Sequence, residues 1–307
     1  SEPIEFADKY AKLVCVQKYD KNGDGELSLK EAAEVTSIPS HFFGDYYQAV
    51  KSFDELEYFI NLKTISIYAF SGCNNLKSIA IPKSVTSIYS SAFSSCSSLE
   101  SVYITDMSAW CGISFSGSDS NPLCCRANLY LNNELVTELA IPNGITKIRS
   151  YAFCGCGSIT SVTIPNGVTT IDDSAFYGCE NLTNVTIPNG VTTIGDYAFY
   201  GCKSLATATL PDSITSIGSS AFIYCESLES INIPQNLIKI DSNTFNGCMS
   251  LKSVVIPDGV ISIGSYAFGN CSSMESATIG ADVVSIDSYA FANCSSLKSV
   301  YFTSATA

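Results

Sequence analysis

Apolar and polar positions recur in a fixed order from about Tyr58 onward, at the step that separates Phe153, Phe176, Phe199 and Phe222. Ala-Phe pairs mark the beat at Ala69-Phe70 and Ala92-Phe93. They resume at Ala152-Phe153, Ala175-Phe176, Ala198-Phe199, Ala221-Phe222, Ala267-Phe268 and Ala290-Phe291, with Thr244-Phe245 as the variant. Three residues past each Phe stands a Cys, and three further on a Leu, Ile or Met. A unit of this length cannot bury its apolar face alone and must stack on its neighbours, which makes a solenoid.

One repeat, Asn181 to Cys202, predicts the elements. Leu182-Thr-Asn-Val185-Thr-Ile187 is rich in β-branched residues and reads as a strand with Val185 and Ile187 inward. Pro188-Asn-Gly190 turns the chain, since Pro lacks a donor and Gly tolerates positive φ. Val191 and Ile194 return to the core as a short second strand. Asp196 shares its column with Ser90, Ser150, Asp173, Ser219, Ser242, Ser265 and Ser288. Ser or Asp two residues before Ala-Phe predicts an N-cap, with Tyr197-Ala-Phe-Tyr-Gly201 as the helical turn it caps. The first strands are expected to pair in parallel at ~4.8 Å.

Before the period begins the pattern is helical. Phe6, Tyr10, Leu13 and Val14 share one helix face, and Glu31-Ala-Ala-Glu34 reads as a short second helix. This predicts an N-terminal helical cap over 1–57, joined through Phe53–Phe59 to a solenoid over 58–307. The period breaks over about 105–140, where the step from Ile104 to Ile141 far exceeds the regular one from Ile164 to Ile187 and marks an insertion. Inside it Leu129-Tyr-Leu-Asn132-Asn133-Glu-Leu135 resembles a hairpin with an Asn-Asn turn, and Val136, Leu139 and Ile141 resume the strand columns. Insertions in solenoids map to one face and can serve as binding loops; the preferred reading of Trp110, the only tryptophan, is a plug in the core.

Leu182-x-x-Val185-x-Ile187 resembles the L-x-x-L-x-L of leucine-rich repeats. The string Ile-Pro-x-Gly-Val-Thr-x-Ile-x-x-x-Ala-Phe-x-Gly-Cys-x-x-Leu is similar to the BspA-like, Treponema-type subclass of bacterial surface proteins, over about 58 to 302. The resemblance implies an α/β fold: a right-handed leucine-rich-repeat solenoid, or horseshoe, with parallel strands and short helical turns. A parallel β-helix is the runner-up. It also implies surface adhesion and binding to a host or matrix component. The Asn or Cys that normally follows the strand is replaced by Gly190, Gly167 or Ser213, so the usual Asn ladder is not expected.

Composition narrows the partner. The 307 residues carry a net charge of −13, which disfavours nucleic acid and anionic membrane surfaces. No apolar run reaches the ~18 residues of a spanning helix. The chain starts at Ser1 without an initiator Met, as a processed or trimmed N-terminus would; the resemblance implies a secreted or cell-surface location, with any signal or lipid anchor outside this stretch.

Nine of the 14 cysteines (Cys73, Cys96, Cys156, Cys179, Cys202, Cys225, Cys248, Cys271, Cys294) fill one repeat column. Stacked side chains there point the same way, whereas a disulfide needs facing Cβ groups, so they read as small buried hydrophobes. Cys15, Cys111, Cys124, Cys125 and Cys154 lie outside the column, and Cys111 with Cys124 or Cys125 is where a bridge would form.

The sharpest chemical motif is Asp20-Lys-Asn22-Gly-Asp24-Gly25-Glu26-Leu27-Ser28-Leu-Lys-Glu31, which follows the EF-hand loop. Asp20, Asn22 and Asp24 offer side-chain oxygens, Glu26 its carbonyl, Ser28 a direct or water-mediated oxygen and Glu31 a bidentate carboxylate. One structural Ca²⁺ is expected, because the loop is single and sensors pair two. The bland reading is an acidic surface loop.

Outward strand columns hold Ser78, Ser101, Ser161, Asn184, Thr207, Ser230, Ser253, Ser276 and Ser299, and Ala80, Tyr103, Thr163, Thr186, Thr209, Asn232, Val255, Thr278 and Tyr301. Tyr68, Tyr151, Tyr197, Tyr266 and Tyr289 form a further column before Ala-Phe. With Tyr103, Trp110 and Tyr301 these rings are the candidate partner-binding residues, because amphipathic aromatics bind at low entropic cost. Packing over neighbouring turns is the alternative. Enzyme chemistry lacks material: His41 is the only histidine, and the repeat glycines belong to turns rather than a phosphate loop. The expected function is non-catalytic recognition of a protein or glycan. A structural spacer is the alternative, and a carbohydrate-active enzyme the remote one. At the C-terminus, Tyr301, Phe302 and the tail are expected to cover the last coil, unless another chain does.

Overall fold

The computed structural model describes residues 2–304. Their contacts divide them into two units, one running to residue 136 and including 155–158, the other comprising 137–154 and 159 onward.

The first unit opens with helix α1 (Lys9–Tyr19), whose N-cap Asp8 accepts the amides of Tyr10 and Ala11 at 2.8 and 3.0 Å. The helix buries Ala11, Val14 and Cys15, and Leu13 of the expected face is 37% exposed. Helix α2 (Leu29–Ala32) starts in a capping box between Ser28 and Glu31. Parallel stacking then begins at Ser37, ahead of the Ala-Phe period. Ser37–Ile38, Thr64–Ile65, Ser87–Ile88 and Ser114–Phe115 form one sheet. Ser52–Phe53, Ser78–Ala80, Ser101–Ile104 and Asn128–Leu131 form the other. Phe42, Phe53, Phe59 and Phe70 cluster beneath α1 with ring centroids 5.6–6.2 Å apart in contacting pairs.

The interruption has a different anatomy from a stretched repeat. Ile104 pairs with Leu131, well short of Ile141, so helix α3 (Met107–Gly112) and the strand Ser114–Phe115 belong to a complete coil. The rest of the stretch, up to Ile141, completes the hairpin and returns the chain to the period. Tyr130 pairs antiparallel with Leu135, and Asn132 and Asn133 adopt φ of 51° and 67°, as a type I′ turn requires. Trp110 is 1% exposed and packs against Phe115 at 5.4 Å, so it belongs to the core.

In the second unit the register is uniform. Leu139, Val162, Val185, Ala208 and Ile231 lie side by side in one parallel sheet. Ile148, Ile171, Ile194 and Ile217 do the same in the next. A third ladder joins the turns, in which the amides of Phe176 and Phe199 donate to the carbonyls of Ala198 and Ala221, both at 2.8 Å. Phe153 through Phe291 stack 5.1–5.6 Å apart with planes within 8–12°. Both units are thus parallel-strand solenoids, and the short helices among the described residues all lie in the first.

The turns differ from the predicted capped helices. Tyr197, and its column-mates Tyr68, Ser91, Tyr151, Ser174, Ser220, Asn243, Tyr266 and Tyr289, all have φ between 54° and 64°. A second left-handed position follows Phe by two residues, filled by Gly201, Gly247, Asn270 or Tyr224 among others. Two such residues per turn preclude a continuing helix. The Asp column therefore does not cap its own turn: Asp173 accepts the amide of Asp196 at 2.8 Å, and Asp196 that of Ser219 at 2.7 Å. A short asparagine chain also exists away from the usual position: Asn293 donates to Asn270, its column-mate, at 2.9 Å, and Asn270 to Asn246, one residue off that column, at 2.8 Å.

The cysteine column is a row of free thiols. Cys202, Cys225 and Cys248 donate to the carbonyls of Phe176, Phe199 and Phe222, in the preceding coil, at 3.3–3.4 Å. Cys125, outside the sequence period, reaches the carbonyl of Phe93 in the same way at 3.8 Å. Cys111 and Cys125 are free, so the bridge expected at Cys111 does not form. Cys124 in the first unit and Cys154 in the second are each disulfide-bonded. Tyr301 and Phe302 lie in the strand Ser299–Phe302 and are 59% and 69% exposed, so they do not fold over the last coil; the end of the tail, 305–307, is outside the described residues. No described helix is long and apolar enough to cross a membrane.

Candidate functional site

The acidic loop is ordered by its own amides. Asp20 accepts Gly23 and Gly25 through its two carboxylate oxygens at 2.7 and 2.9 Å, Asn22 accepts Asp24 at 2.8 Å, and Asp24 accepts Glu26 at 2.9 Å. Gly25, at φ 83°, makes the bend. Glu31 reaches back across the loop, taking the Lys21 amide at 2.9 Å on one oxygen and the Ser28 hydroxyl at 2.6 Å on the other. The Ser28 hydroxyl, then the amides of Ser28 and Lys21, hold the Glu31 carboxyl down at about 2. The side chain of Glu26 forms an ion pair with Lys12 at 2.6 Å. Leu27 is fully buried, and the segment before α1 closes over it, with the Ile4 amide on the Leu27 carbonyl at 2.8 Å. Among the described residues no three His, Cys, Asp or Glu side chains converge on a common metal position.

The tyrosines divide by environment. Tyr68, Tyr197 and Tyr289 are exposed, at 43–64%, while Tyr151 and Tyr266 are half-buried. Tyr266 stacks on Tyr289 at 5.0 Å, and Tyr197 sits 6.1 Å from Tyr200, which itself stacks on Tyr177 at 4.4 Å. His41 is exposed and lies flat against Tyr68 at 5.9 Å.

Tyr103 stands in a cleft. Its neighbours across the parallel sheet of the first unit are Ala80 on one side and Tyr130 on the other. Tyr130 packs on it at 4.9 Å with the rings tilted by 30°, and the neighbour on the other side is Ala80, 4% exposed. The strand face of the second unit holds Thr163, Thr186 and Thr209 in the same column. The hairpin forms one wall of the cleft through Asn132 and Asn133, both exposed. Glu57 and Ile60, at the end of the 3₁₀ helix Asp54–Tyr58, form the opposite one. Lys83 and Ser84 complete the rim, and the volume is about 360 Å³. The Ser84 hydroxyl is buried without a partner. Tyr130, Asn132 and Asn133 are not among the sequence-derived candidates. Their signals are the Asn-Asn turn and a tyrosine that follows Tyr103 in the same strand column, visible only if the interruption is read as a coil.

Three carboxylates, Asp8, Asp54 and Glu55, lie close together beside α1. Glu55 accepts the Ala7 amide at 2.7 Å through one oxygen, and its other oxygen is buried without a partner. Burial first, then the charges of Asp54 and Asp8, push its carboxyl above the ordinary glutamate range.

The sequence matches the profile of a BspA type leucine-rich repeat region in six copies, over 28–120, 126–250 and 215–307. Among solved structures it is similar to a leucine-rich repeat protein from Bacteroides ovatus, 25% identical, with 87% of this chain and 76% of that chain covered at a TM-score of 0.58. A leucine-rich repeat protein from Eubacterium ventriosum matches at 21% identity, 86% and 84% coverage and a TM-score of 0.52. A leucine-rich cell surface protein from Faecalibacterium prausnitzii matches at 25% identity, 88% and 83% coverage and a TM-score of 0.49. No curated protein matches.

Proposed function

Because the chain belongs to the BspA-type leucine-rich repeat family, we propose that it is a secreted or cell-surface recognition module that binds a protein or glycan without catalysis. The observation that carries this reading is the cleft beside Tyr103, where the uniform hydroxyl face of the strands gives way to an aromatic pair and a projecting hairpin. Solenoid repeats bury a continuous core and leave their faces for partners, and insertions gather on the binding face. The net charge of −13 points away from nucleic acid and anionic membranes. The test is binding of the purified chain to immobilised extracellular-matrix proteins and to a glycan array. Silence on both leaves the structural-spacer reading, which the regular Thr163-Thr186-Thr209 column of the second unit favours.

The loop Asp20–Glu31 is proposed to hold one structural Ca²⁺. Its donors are all oxygens at EF-hand spacing, and Gly25 has the positive φ the bend needs. Each loop amide uses one lone pair of an oxygen that carries two, so the side chains keep acceptor capacity for a hard cation. Calorimetry should register uptake of one Ca²⁺ per chain, abolished or weakened at least about tenfold by Glu31→Gln. That change keeps the capping box, because Gln serves at this position too. Uptake equal in both chains, or none in either, removes the proposal.

A further inference from the structure

We infer that the cleft beside Tyr103 takes the end of a neutral saccharide chain, an inference that rests on the recognition role proposed above. A sugar ring has an apolar face of C–H groups and an equator of hydroxyls. A site for it needs an aromatic ring at the cleft surface and polar groups around the edge. Tyr103, half-buried and lining the cleft, supplies the ring: Tyr130 braces it from one side at 4.9 Å, and Ala80 stands at the neighbouring position on the other. The ring is therefore held before any ligand arrives, which limits the ordering cost of binding.

The edge is supplied by groups that the fold leaves unspent. Asn132 and Asn133 project their amides from a turn whose backbone is anchored by the Asn132 amide on the Ile104 carbonyl at 2.9 Å. Each amide both donates and accepts, as a sugar hydroxyl does. Glu57 and Lys83 balance in charge across the lining. That balance, in a chain of net charge −13, argues against sialylated or sulfated glycans and against phosphates. An apolar peptide side chain would leave the Asn132 and Asn133 amides unmatched, which disfavours it. The volume of about 360 Å³ lies near the lower end of the ~300–1,000 Å³ of small-ligand sites, suiting a short terminal saccharide.

The experiment uses the full chain on an array of neutral gluco-, galacto- and manno-oligosaccharides with sialylated and sulfated counterparts, beside a panel of immobilised matrix proteins. Neutral oligosaccharides should bind, and titration of the best one should weaken about tenfold or more with Tyr103→Ala. Tyr103→Phe should retain most of the affinity. Asn132→Gly and Asn133→Gly remove the amides while allowing positive φ, so each should weaken binding with the thermal melt preserved. Neutral-glycan binding that survives Tyr103→Ala and both Asn→Gly changes overturns the site. A preference for the acidic counterparts overturns the ligand class. Binding to a matrix protein with no neutral glycan bound overturns the saccharide inference and leaves the recognition role standing. Binding to neither overturns both.

Discussion

Single residues in this chain are chosen for what they do to the adjacent coil. The column cysteines are an instance: a thiol fills a small buried space and also gives the Phe carbonyl of the preceding coil a weak donor, which Ala would not. Burial pushes the thiols of Cys202, Cys225 and Cys248 far above their ordinary range, so they hold almost no thiolate at pH 8. Iodoacetamide followed by peptide mass spectrometry should leave these three unmodified in the native chain and label them after denaturation; half-buried Cys294 should react ahead of them. Glu55 makes the opposite case, a buried acid whose second oxygen has no partner. Native Glu55 keeps its proton to a higher pH than the unfolded chain does. Unfolding therefore releases that proton, and stability falls as pH rises from the unfolded value near 4.5 through the native one. Asp54, raised by burial, contributes in the same sense. Glu55→Gln keeps an acceptor for the Ala7 amide and removes the charge. Its melting temperature should equal or exceed the parent's at pH 8, and the gain should shrink by pH 4. Glu55→Ala, which orphans that amide, should cost about 1–3 kcal/mol.

At the scale of one coil, the turn is held by conformation as much as by contacts. Gly195 and Gly201 separate the two effects. A Cβ on Gly195 would stand 2.5 Å from the Asp173 amide nitrogen in the coil before it, so Gly195→Ala forces backbone apart. A Cβ on Gly201 meets nothing closer than 4.0 Å, but its φ is 66°. Gly201→Ala should cost about 1–2 kcal/mol, the ordinary penalty of a left-handed residue. Gly195→Ala should cost more, about 2–3 kcal/mol, because overpacking is added against an unyielding neighbour. Urea unfolding of both variants checks the order. Ion pairs between coils add little to this: Lys203–Glu180, Lys252–Glu229 and Lys298–Glu275 are 2.9–3.2 Å apart and well exposed, worth ~0–1 kcal/mol each.

For the molecule as a whole, contacts in a stack run between nearest neighbours, so a local loss stays local. The Ca²⁺ proposal can be tested on that basis. Chelation should speed hydrogen exchange over Asp20–Glu31 and at Ile4, whose amide bonds the loop at Leu27. The strands Asn184–Thr186 and Thr207–Thr209 of the second unit should keep their protection. Exchange unchanged at the loop would refute the site, and exchange raised throughout would refute nearest-neighbour coupling.

The period by itself determined that the chain stacks, which columns face inward, and that the cysteines of one column stay reduced, because a repeated pattern is satisfied only by its own copies. It also marked the Asn-Asn hairpin, since two residues suited to positive φ between apolar strands leave few other solutions. Tertiary structure decided the rest. Nothing in Tyr197 or Ser174 announces positive φ, because that conformation is imposed by the hydrogen bonds their amides make to the Ser219 and Asp196 carbonyls of the next coil. The interruption contains a whole coil because Ile104 found its partner in Leu131 rather than Ile141, a choice made by pairing rather than by spacing. The cleft follows from that choice: Ala80, Tyr103 and Tyr130 come side by side only once the regular coil before Tyr103 and the longer one after it are stacked.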